Sequence, residues 1–503
     1  MNALLDRLLD HVTMYRLVLY YLVTLIAVAL ALSIAGVLPF APQMLVVSTL
    51  VAVAACALTN RAFARVFEVP ANAESAIITA LILVLILDPV GITDVRGLLG
   101  IAFASVWAMA AKFVLAVGRR HLFNPAALGV LLSGALLDQP ATWWISGHLA
   151  FLPVVIAGGL VVVRKLRRFD LVAVYVLANL LAVVATTAPA DVASAISETV
   201  LSSPLFFFAF VMLTEPLTAP GKRWPRLIFG ALVGALSAPN VHVGTFYLTP
   251  ELALLVGNVL AFALAPQGRF ALTLERIEHA AGDAYDFIFR PDRRVAFEAG
   301  QYLEWTLALD RSDSRGNRRY FTIASAPTEK RVRLGVKFYP GASAFKRGLA
   351  ELRPGDRIFA AQVAGDFTLP ADPDARIAFI AGGIGITPFR SMLQCLVDKG
   401  EVRPIVVLYA NERASDICYR DVLAAAERRL GIRTEFAVAR DPGPRDHAGY
   451  INAQLIRRSI PDFAERIFYV SGPQAMVRAV RDELLRLGVH RSRIKVDFFP
   501  GFA

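Results

Sequence analysis

Two kinds of hydrophobic pattern follow one another along the chain. Apolar residues first come in long runs, at 17–36, 43–58, 75–87, 98–116, 125–137, 150–163, 170–188, 203–214, 226–238 and 250–265. Long apolar runs with few charges predict membrane-crossing helices, here ten of them. Some runs, such as 75–87, hold only 13 residues. At about 1.5 Å per residue these fall short of a hydrocarbon core about 30 Å thick. Beside full-length neighbours they read as half-helices meeting inside a bundle.

From Arg269 the pattern changes. Short β-rich runs broken by turns follow, at Ala284–Phe289, Tyr302–Leu307, Val332–Phe338 and Arg357–Ala361. Such spacing predicts a small β-barrel. After Asp374 apolar strands (Ile377–Ile380, Pro404–Tyr409, Ile467–Val470) alternate with helical stretches such as Phe389–Leu396. That alternation predicts a parallel α/β sheet. The expected architecture is multi-domain: an all-α ten-helix bundle over 1–266, a β-barrel domain over 267–372 and a parallel-sheet domain over 373–503.

The mean hydropathy of +0.54 averages over these unlike parts. Net charge is +11, and a basic balance suits nucleic acid or an anionic membrane. The Lys/Arg positions decide for the membrane. They fall in alternate loops: Arg7 and Arg16, Arg61 and Arg65, Arg119 and Arg120, Arg164 to Arg168, and Lys222 to Arg226. The intervening loops 37–42, 88–97, 138–149, 189–202 and 239–249 hold one basic residue, Arg96. Under the positive-inside rule both ends of the bundle, and the domains after it, face the cytoplasm. The expected setting is therefore a multi-pass protein of the cytoplasmic membrane, with the lipid bilayer as partner and no nucleic acid. Cys56, Cys395 and Cys418 lie far apart, with no disulfide framework and no iron–sulfur spacing. No metal site is expected. The first apolar run, Leu17 to Leu38, is too long for a cleavable signal.

An internal repeat is visible in the bundle. Ser75 runs thirteen residues to Asp88-Pro89, and Ser202 runs thirteen residues to Glu215-Pro216. By the charge argument the two run in opposite directions, which is an inverted repeat with a binding site expected at its interface. Each half also has a short helix opened by proline, after Asn124 and after Thr249. Ionisable groups at mid-bilayer cost roughly 2.5–3.5 kcal/mol, so they are paired or functional. Lys112 and Glu215 stand near span ends. Asn124, Thr214, Glu215 and Thr218 are the candidates for hydrogen-bonding a flavin or quinone; the bland reading of the proline and small residues is helix packing.

The chemistry-bearing motifs lie in the second half. Ala381-Gly-Gly-Ile-Gly-Ile-Thr-Pro388 joins a predicted strand to a helix. Glycines at such a turn let backbone N–H groups and a helix N-terminus approach a pyrophosphate. Gly382, Gly383, Gly385, Thr387 and Pro388 are the candidates. In Arg319-Tyr-Phe-Thr-Ile-Ala-Ser-Ala-Pro327, an arginine can clamp a phosphate, an aromatic can lie on a flavin and a hydroxyl can bond its edge. Ser471-Gly-Pro-Gln-Ala-Met476 comes third.

Two resemblances follow from these phrases. His121-Leu-Phe-Asn-Pro-Ala-Ala-Leu-Gly129, Ser75 to Leu83 and Leu213-Thr-Glu-Pro-Leu-Thr-Ala-Pro220 resemble the membrane subunit shared by sodium-pumping NADH:quinone reductases and Rnf complexes (subunits B and D). This implies a ten-helix inverted-repeat fold with flavin in the membrane. The family's flavin-attachment pattern, Asp-x-x-Ser-Gly-Ala-Thr, is absent; Asp191-Val-Ala-Ser-Ala-Ile lacks its Gly and acceptor Thr. A noncovalent FMN or riboflavin, or a quinone, is expected instead.

The three ordered motifs from residue 268 onward resemble the ferredoxin-NADP⁺ reductase superfamily. The resemblance implies Arg319, Phe321 and Thr322 at FAD with Tyr320 alongside, and Ser343 by its pyrophosphate. It places the nicotinamide dinucleotide on Gly382 to Pro388, with Gly472, Pro473 and Met476 at the nicotinamide. Phe502 would cover the flavin ring. Thr322, Ser471 and Phe502 are the residues expected nearest the hydride transfer, although relatives commonly carry Cys where Ser471 stands. Glu412 suits a ribose diol and Arg413 a 2′-phosphate, which leaves NADH and NADPH both open.

The expected function is an NAD(P)H-dependent flavoprotein oxidoreductase. Electrons would pass from cytoplasmic NAD(P)H through FAD into the membrane bundle, and on to a quinone or an extracytoplasmic flavin-carrying acceptor. The alternatives are a redox-driven ion pump or transporter and a haem-containing ferric-reductase-like protein. The last needs paired axial histidines, and none of the seven histidines lies mid-span.

Overall fold

The computed structural model describes residues 12–67, 73–117, 120–264, 270–309, 313, 317–444 and 446–497. It divides into two compact units, Val12–Gly268 and Arg269–Ala503.

The first unit is helical: α1 Met14–Ile34, α2 Pro42–Val66, α3 Ala73–Ile86, α4 Val95–Val114, α5 Pro125–Leu137, α6 Leu152–Leu166, α7 Phe169–Thr186, α8 Val192–Ser202, α9 Leu205–Phe207, α10 Arg223–Leu236 and α11 Pro250–Leu264. Five helices among the described residues are long and apolar enough to cross a membrane, counting α6 with the short turn before it. Pro189–Ser202 and Leu205–Met212, bent by 58°, make a sixth if taken as one span. The segment 189–202, expected as a loop, is thus largely helix. Ser203 is extended (ψ 165°), as a residue before proline prefers, and the bend falls there. Helices α3, α5 and α11 are apolar but shorter, at 14, 13 and 15 residues.

Glycine allows the close packing of this unit. A Cβ on Gly129 of α5 would overlap the Ala104 carbonyl of α4, and one on Gly234 of α10 the Tyr175 carbonyl of α7. Lipid gives no hydrophobic drive between helices, so such close backbone approach supplies the attraction.

The second unit has two lobes. Strands β1 Phe270–Ala281, β2 Ala284–Pro291, β3 Tyr302–Thr306, β4 Arg318–Thr322, β5 Val332–Lys337 and β6 Arg357–Ala364 form an antiparallel sheet, with helix α12 Ala344–Ala350 before β6. Its order is β4-β3-β6-β1-β2-β5. The expected barrel is not a closed ladder: β4 and β5 are its edges among the described strands. One backbone bond, Ala324 N to Arg333 O (2.9 Å), links the segment after β4 to β5. Trp305, Phe287, Phe289, Leu334 and Phe345 fill the interior.

The other lobe is a parallel sheet of β7 Ile377–Gly382, β8 Ile405–Arg413, β9 Arg433–Arg440, β10 His447–Ala448, β11 Ile467–Ser471 and β12 Ile494–Asp497. Helices α13 Thr387–Lys399, α14 Arg420–Leu430, α15 Ala453–Ser459 and α16 Gln474–Arg486 connect the strands. The order is β10-β9-β8-β7-β11-β12. Strands are laid outward from β7 on one side, then the chain crosses to β11 on the other. That reversal is a topological switch point at the carboxyl ends of β7 and β11, the place where open α/β sheets bind ligands in a crevice. Every residue of β7 is buried, as a central strand covered on both faces requires.

Candidate functional site

The crevice is where two of the predicted motifs meet. Gly382 ends β7 and Ser471 ends β11; Ala381 and Ser471 are partners in register. A Cβ on Gly385 would lie 2.5 Å from Gly472 Cα and 2.6 Å from Ser471 O. A Cβ on Gly382 would overlap Met476 Sδ and stand 3.2 Å from Pro473 Cδ. Gly382, Gly385, Ser471, Gly472, Pro473 and Met476 therefore converge, in a space that only bare backbone can share. Gly383 has φ +51°, a left-handed conformation that glycine adopts without penalty. Pro388 opens α13, where its missing N–H costs nothing. The Thr387 hydroxyl donates to Ile384 O (3.1 Å), inside the turn.

The Arg319–Pro327 stretch divides between the two faces of β4. On one, the Arg319 guanidinium lies 5.4 Å from the Phe345 ring centre, and Phe321 packs on the same ring at 5.8 Å. Ser343 caps α12 next to Phe345, accepting from Lys346 N. Arg319, Phe321 and Ser343 are thus brought together, with Asp313 at 3.8 Å from the guanidinium. On the other face Tyr320 donates to Glu304 Oε2 (2.9 Å) and packs edge-on against Tyr302. Thr322, buried, stands opposite Tyr302 in register. Phe502 lies outside the described residues.

Helix α13 ties this stretch to the glycine turn from which it springs. Arg390 donates to Ala324 O (3.0 Å) and pairs with Glu329; Ser391 donates to Ser325 O (2.7 Å). Sequence reasoning missed both residues. The available signal was an arginine inside the apolar helix Phe389–Leu396. Glu412 is engaged with Arg440 at 3.2 Å.

In the membrane unit Glu215 follows a π-helical turn, Phe208–Met212, a feature frequent at functional sites. Its Oε2 accepts from Asn124 Nδ2 (2.8 Å) and Thr218 Oγ1 (3.1 Å), and its Oε1 lies 3.3 Å from His121 Nε2. Asn124 also caps α5 through Ala127 N, and its own N–H donates to Asn258 Oδ1 of α11 (2.8 Å). Asn124, Glu215 and Thr218 are thus one cluster. Thr214 is beside it in sequence, but its hydroxyl donates to Phe210 O of the preceding turn (2.7 Å). His121 and Asn258 belong to the cluster and were not singled out. Another acid, Glu251, is buried and accepts from Trp143 Nε1 at 2.7 Å. Lys112 donates to Ser75 Oγ (3.0 Å) and Thr79 Oγ1 (2.8 Å).

Comparison with known proteins agrees with this division. Residues 379–482 match the family model "Oxidoreductase NAD-binding domain". The C-terminal part carries an oxidoreductase NAD-binding domain. Residues 143–265 match the NQR2, RnfD, RnfE family. The chain is 34% identical over 194 residues to the stachydrine N-demethylase reductase subunit Stc4 of Rhizobium meliloti, covering 37% of this chain and 55% of that protein. It is 27% identical over 239 residues to the flavohemoprotein of Pseudomonas putida, covering 46% and 59%. The chain thus spans little more than half of these relatives. Among solved structures, Amycolatopsis cytochrome P450 reductase GcoB aligns with a TM-score of 0.43 at 24% identity, over 46% of this chain and 70% of that one.

Proposed function

We propose that this protein is a membrane-bound, NAD(P)H-dependent flavin oxidoreductase that passes electrons into its own membrane unit. The observation that carries the reading is the grip of α13 on the Arg319–Pro327 stretch. The helix that begins at the dinucleotide turn holds Ala324 and Ser325 through Arg390 and Ser391, so a coenzyme in the crevice and a flavin on that stretch would be neighbours. FAD supplies the step from two-electron to one-electron chemistry.

The residues fit the groups they would hold. Gly382 and Gly385 let the turn pack against the Gly472 backbone, Pro473 and Met476, and the turn's N–H groups would hold a pyrophosphate, with Gly472, Pro473 and Met476 beside the nicotinamide. Arg319 would face the FAD pyrophosphate near Ser343, with Phe321 and Thr322 toward the ring and Tyr320 alongside. Ser471 would stand near the transferred hydride, and Phe502 would cover the ring. In the bundle, the cluster of Asn124, Glu215 and Thr218 lies where two short proline-initiated helices, α5 and α11, meet through Asn124 and Asn258. That supports a noncovalent flavin or a quinone at the interface of an inverted repeat of ten helices. The Lys/Arg pattern puts the termini and the reductase domains, 267–372 and 373–503, in the cytoplasm. The final acceptor would be a quinone or an extracytoplasmic flavin protein.

The test is a chromophore inventory of detergent-purified protein, by spectrum and acid extraction, followed by NADH and NADPH without oxygen. FAD bleached by a coenzyme, with a second flavin or a quinone reduced after it, is the expected result. A Soret band, or a flavin that neither coenzyme bleaches, would overturn the proposal.

A further inference from the structure

Two buried tyrosines outside every motif join the dinucleotide turn to the flavin lobe. Tyr409 of β8 is fully buried. Its hydroxyl donates to Gly383 O (3.0 Å) and accepts from Cys418 N (3.3 Å). The next residue, Tyr419, is also buried and has φ +56°. Its hydroxyl donates to Asp286 Oδ1 of β2 at 2.6 Å. Asp286 Oδ2 accepts from Arg333 Nη1 at 2.6 Å, and Arg333 also reaches Glu278 at 3.0 Å.

The lobes touch at this point because one residue there has no side chain. Gly335 is the register partner of Asp286. A Cβ on it would lie 2.5 Å from Tyr419 Oη, 2.9 Å from Thr387 Cγ2 and 3.1 Å from Asp286 Oδ1. A bulky residue in the left-handed region persists only where its surroundings impose the conformation. For Tyr419 the bond to Asp286 does so, while Tyr409 bonds the turn.

The same bonds orient the turn. A trans peptide is planar, and its N–H points opposite to its C=O. Tyr409 holds the Gly383 carbonyl, and Thr387 Oγ1 holds that of Ile384. The N–H groups of Ile384 and Gly385 therefore face away from these anchors, as donors to an anion in the crevice would.

We propose that Tyr409 and Tyr419 are positioning residues with separate tasks, on the reading of Arg269–Ala503 as the hydride-transferring unit. Tyr409 sets the anion-holding shape of the Gly383–Ile386 turn and acts on coenzyme affinity. Tyr419, through Asp286, sets the approach of the two lobes and acts on the rate once coenzyme is bound. Loss of either hydroxyl touches one kinetic parameter and spares the other.

The experiment is anaerobic stopped-flow bleaching of the flavin in full-length protein, over a range of NADH and NADPH concentrations. Tyr409→Phe, Tyr419→Phe and Asp286→Asn are compared with wild type. Tyr409→Phe is expected to raise the half-saturating coenzyme concentration roughly fivefold to tenfold and leave the limiting rate within about twofold. Tyr419→Phe and Asp286→Asn are expected to lower the limiting rate roughly tenfold with little change in half-saturation. Asp286→Asn keeps the side-chain shape and carries the test if Tyr419→Phe fails to fold. A merely structural role would instead lower flavin content and the limiting rate and raise the half-saturating concentration together in all variants. That pattern, or wild-type kinetics in the variants, overturns the proposal. A wild-type flavin bleached by neither coenzyme overturns the hydride-transfer reading and the proposal with it.

Discussion

The dinucleotide crevice and the Glu215 cluster are built on opposite principles. The first is made by what is missing: Gly382, Gly385 and Gly472 lack side chains where strand ends and loops crowd together, and bare backbone lines the place. The cluster is made of side chains that satisfy one another, with Glu215 taking hydrogen bonds from Asn124 and Thr218 and lying against His121. One is a close packing of bare backbone. The other is a set of polar side chains that pair with one another, as polar groups in an apolar bundle tend to do. Damage should therefore show differently: steric and selective in the crevice, electrostatic and structural in the bundle.

The largest effect is expected from Gly385→Ala. Its methyl would meet the Gly472 backbone at 2.5 Å, and backbone cannot swing aside as a side chain can. Overpacking of this kind costs about 1–3 kcal/mol. Coenzyme-driven bleaching should fall by roughly tenfold or more, while flavin content, measured by extraction, stays near wild type. Equal loss of flavin would break the contrast, since it would mean that the crevice is not separable from the flavin stretch.

His121→Ala comes next and probes the closed cluster. Removing one hydrogen-bond partner of a largely buried group costs roughly 1–3 kcal/mol, toward the low end here because Glu215 keeps Asn124 and Thr218. A lowered melting temperature with unchanged flavin bleaching is expected, checked by scanning fluorimetry beside stopped-flow. Arg390→Ala should have a smaller effect on melting and a clear one on flavin retention, because Ala324, Ser325 and Glu329 lose an anchor. Flavin release on dilution measures it.

The smallest prediction concerns a thiol. Burial pushes Cys418 up to about 11, so at pH 8 it is protonated and unreactive. Its alkylation, followed by mass spectrometry of labelled peptides, should climb about tenfold per pH unit toward that value. Ready labelling at pH 8 would show that the Tyr409–Cys418 region opens to solvent.

This contrast also explains what was legible in the sequence. The crevice was readable because it depends on residue types that few other purposes require: three glycines between a strand and a helix, then Ser471-Gly-Pro. Strand β7 and the parallel sheet followed from unbroken apolar runs. The cluster was half-readable. Glu215 and Asn124 stood out in apolar surroundings, but no spacing says that residues 91 apart share a hydrogen bond. His121 was set aside as lying outside any span, yet it lies 3.3 Å from Glu215. Tyr409, Tyr419 and Asp286 gave no signal, since a tyrosine in an apolar strand reads as core. Helix α8 was lost because Ala and Ser at 189–202 are too weakly apolar for a span, although they permit a helix bent against the next.

The most direct test of the central claim, that electrons leave the flavin through the membrane unit, compares wild type with Glu215→Gln in liposomes. Coenzyme-driven bleaching and quinone reduction are recorded on the same samples. The account predicts unchanged bleaching and quinone reduction slowed by roughly tenfold or more in the variant. Quinone reduction as fast as wild type would place the exit elsewhere and contradict the account.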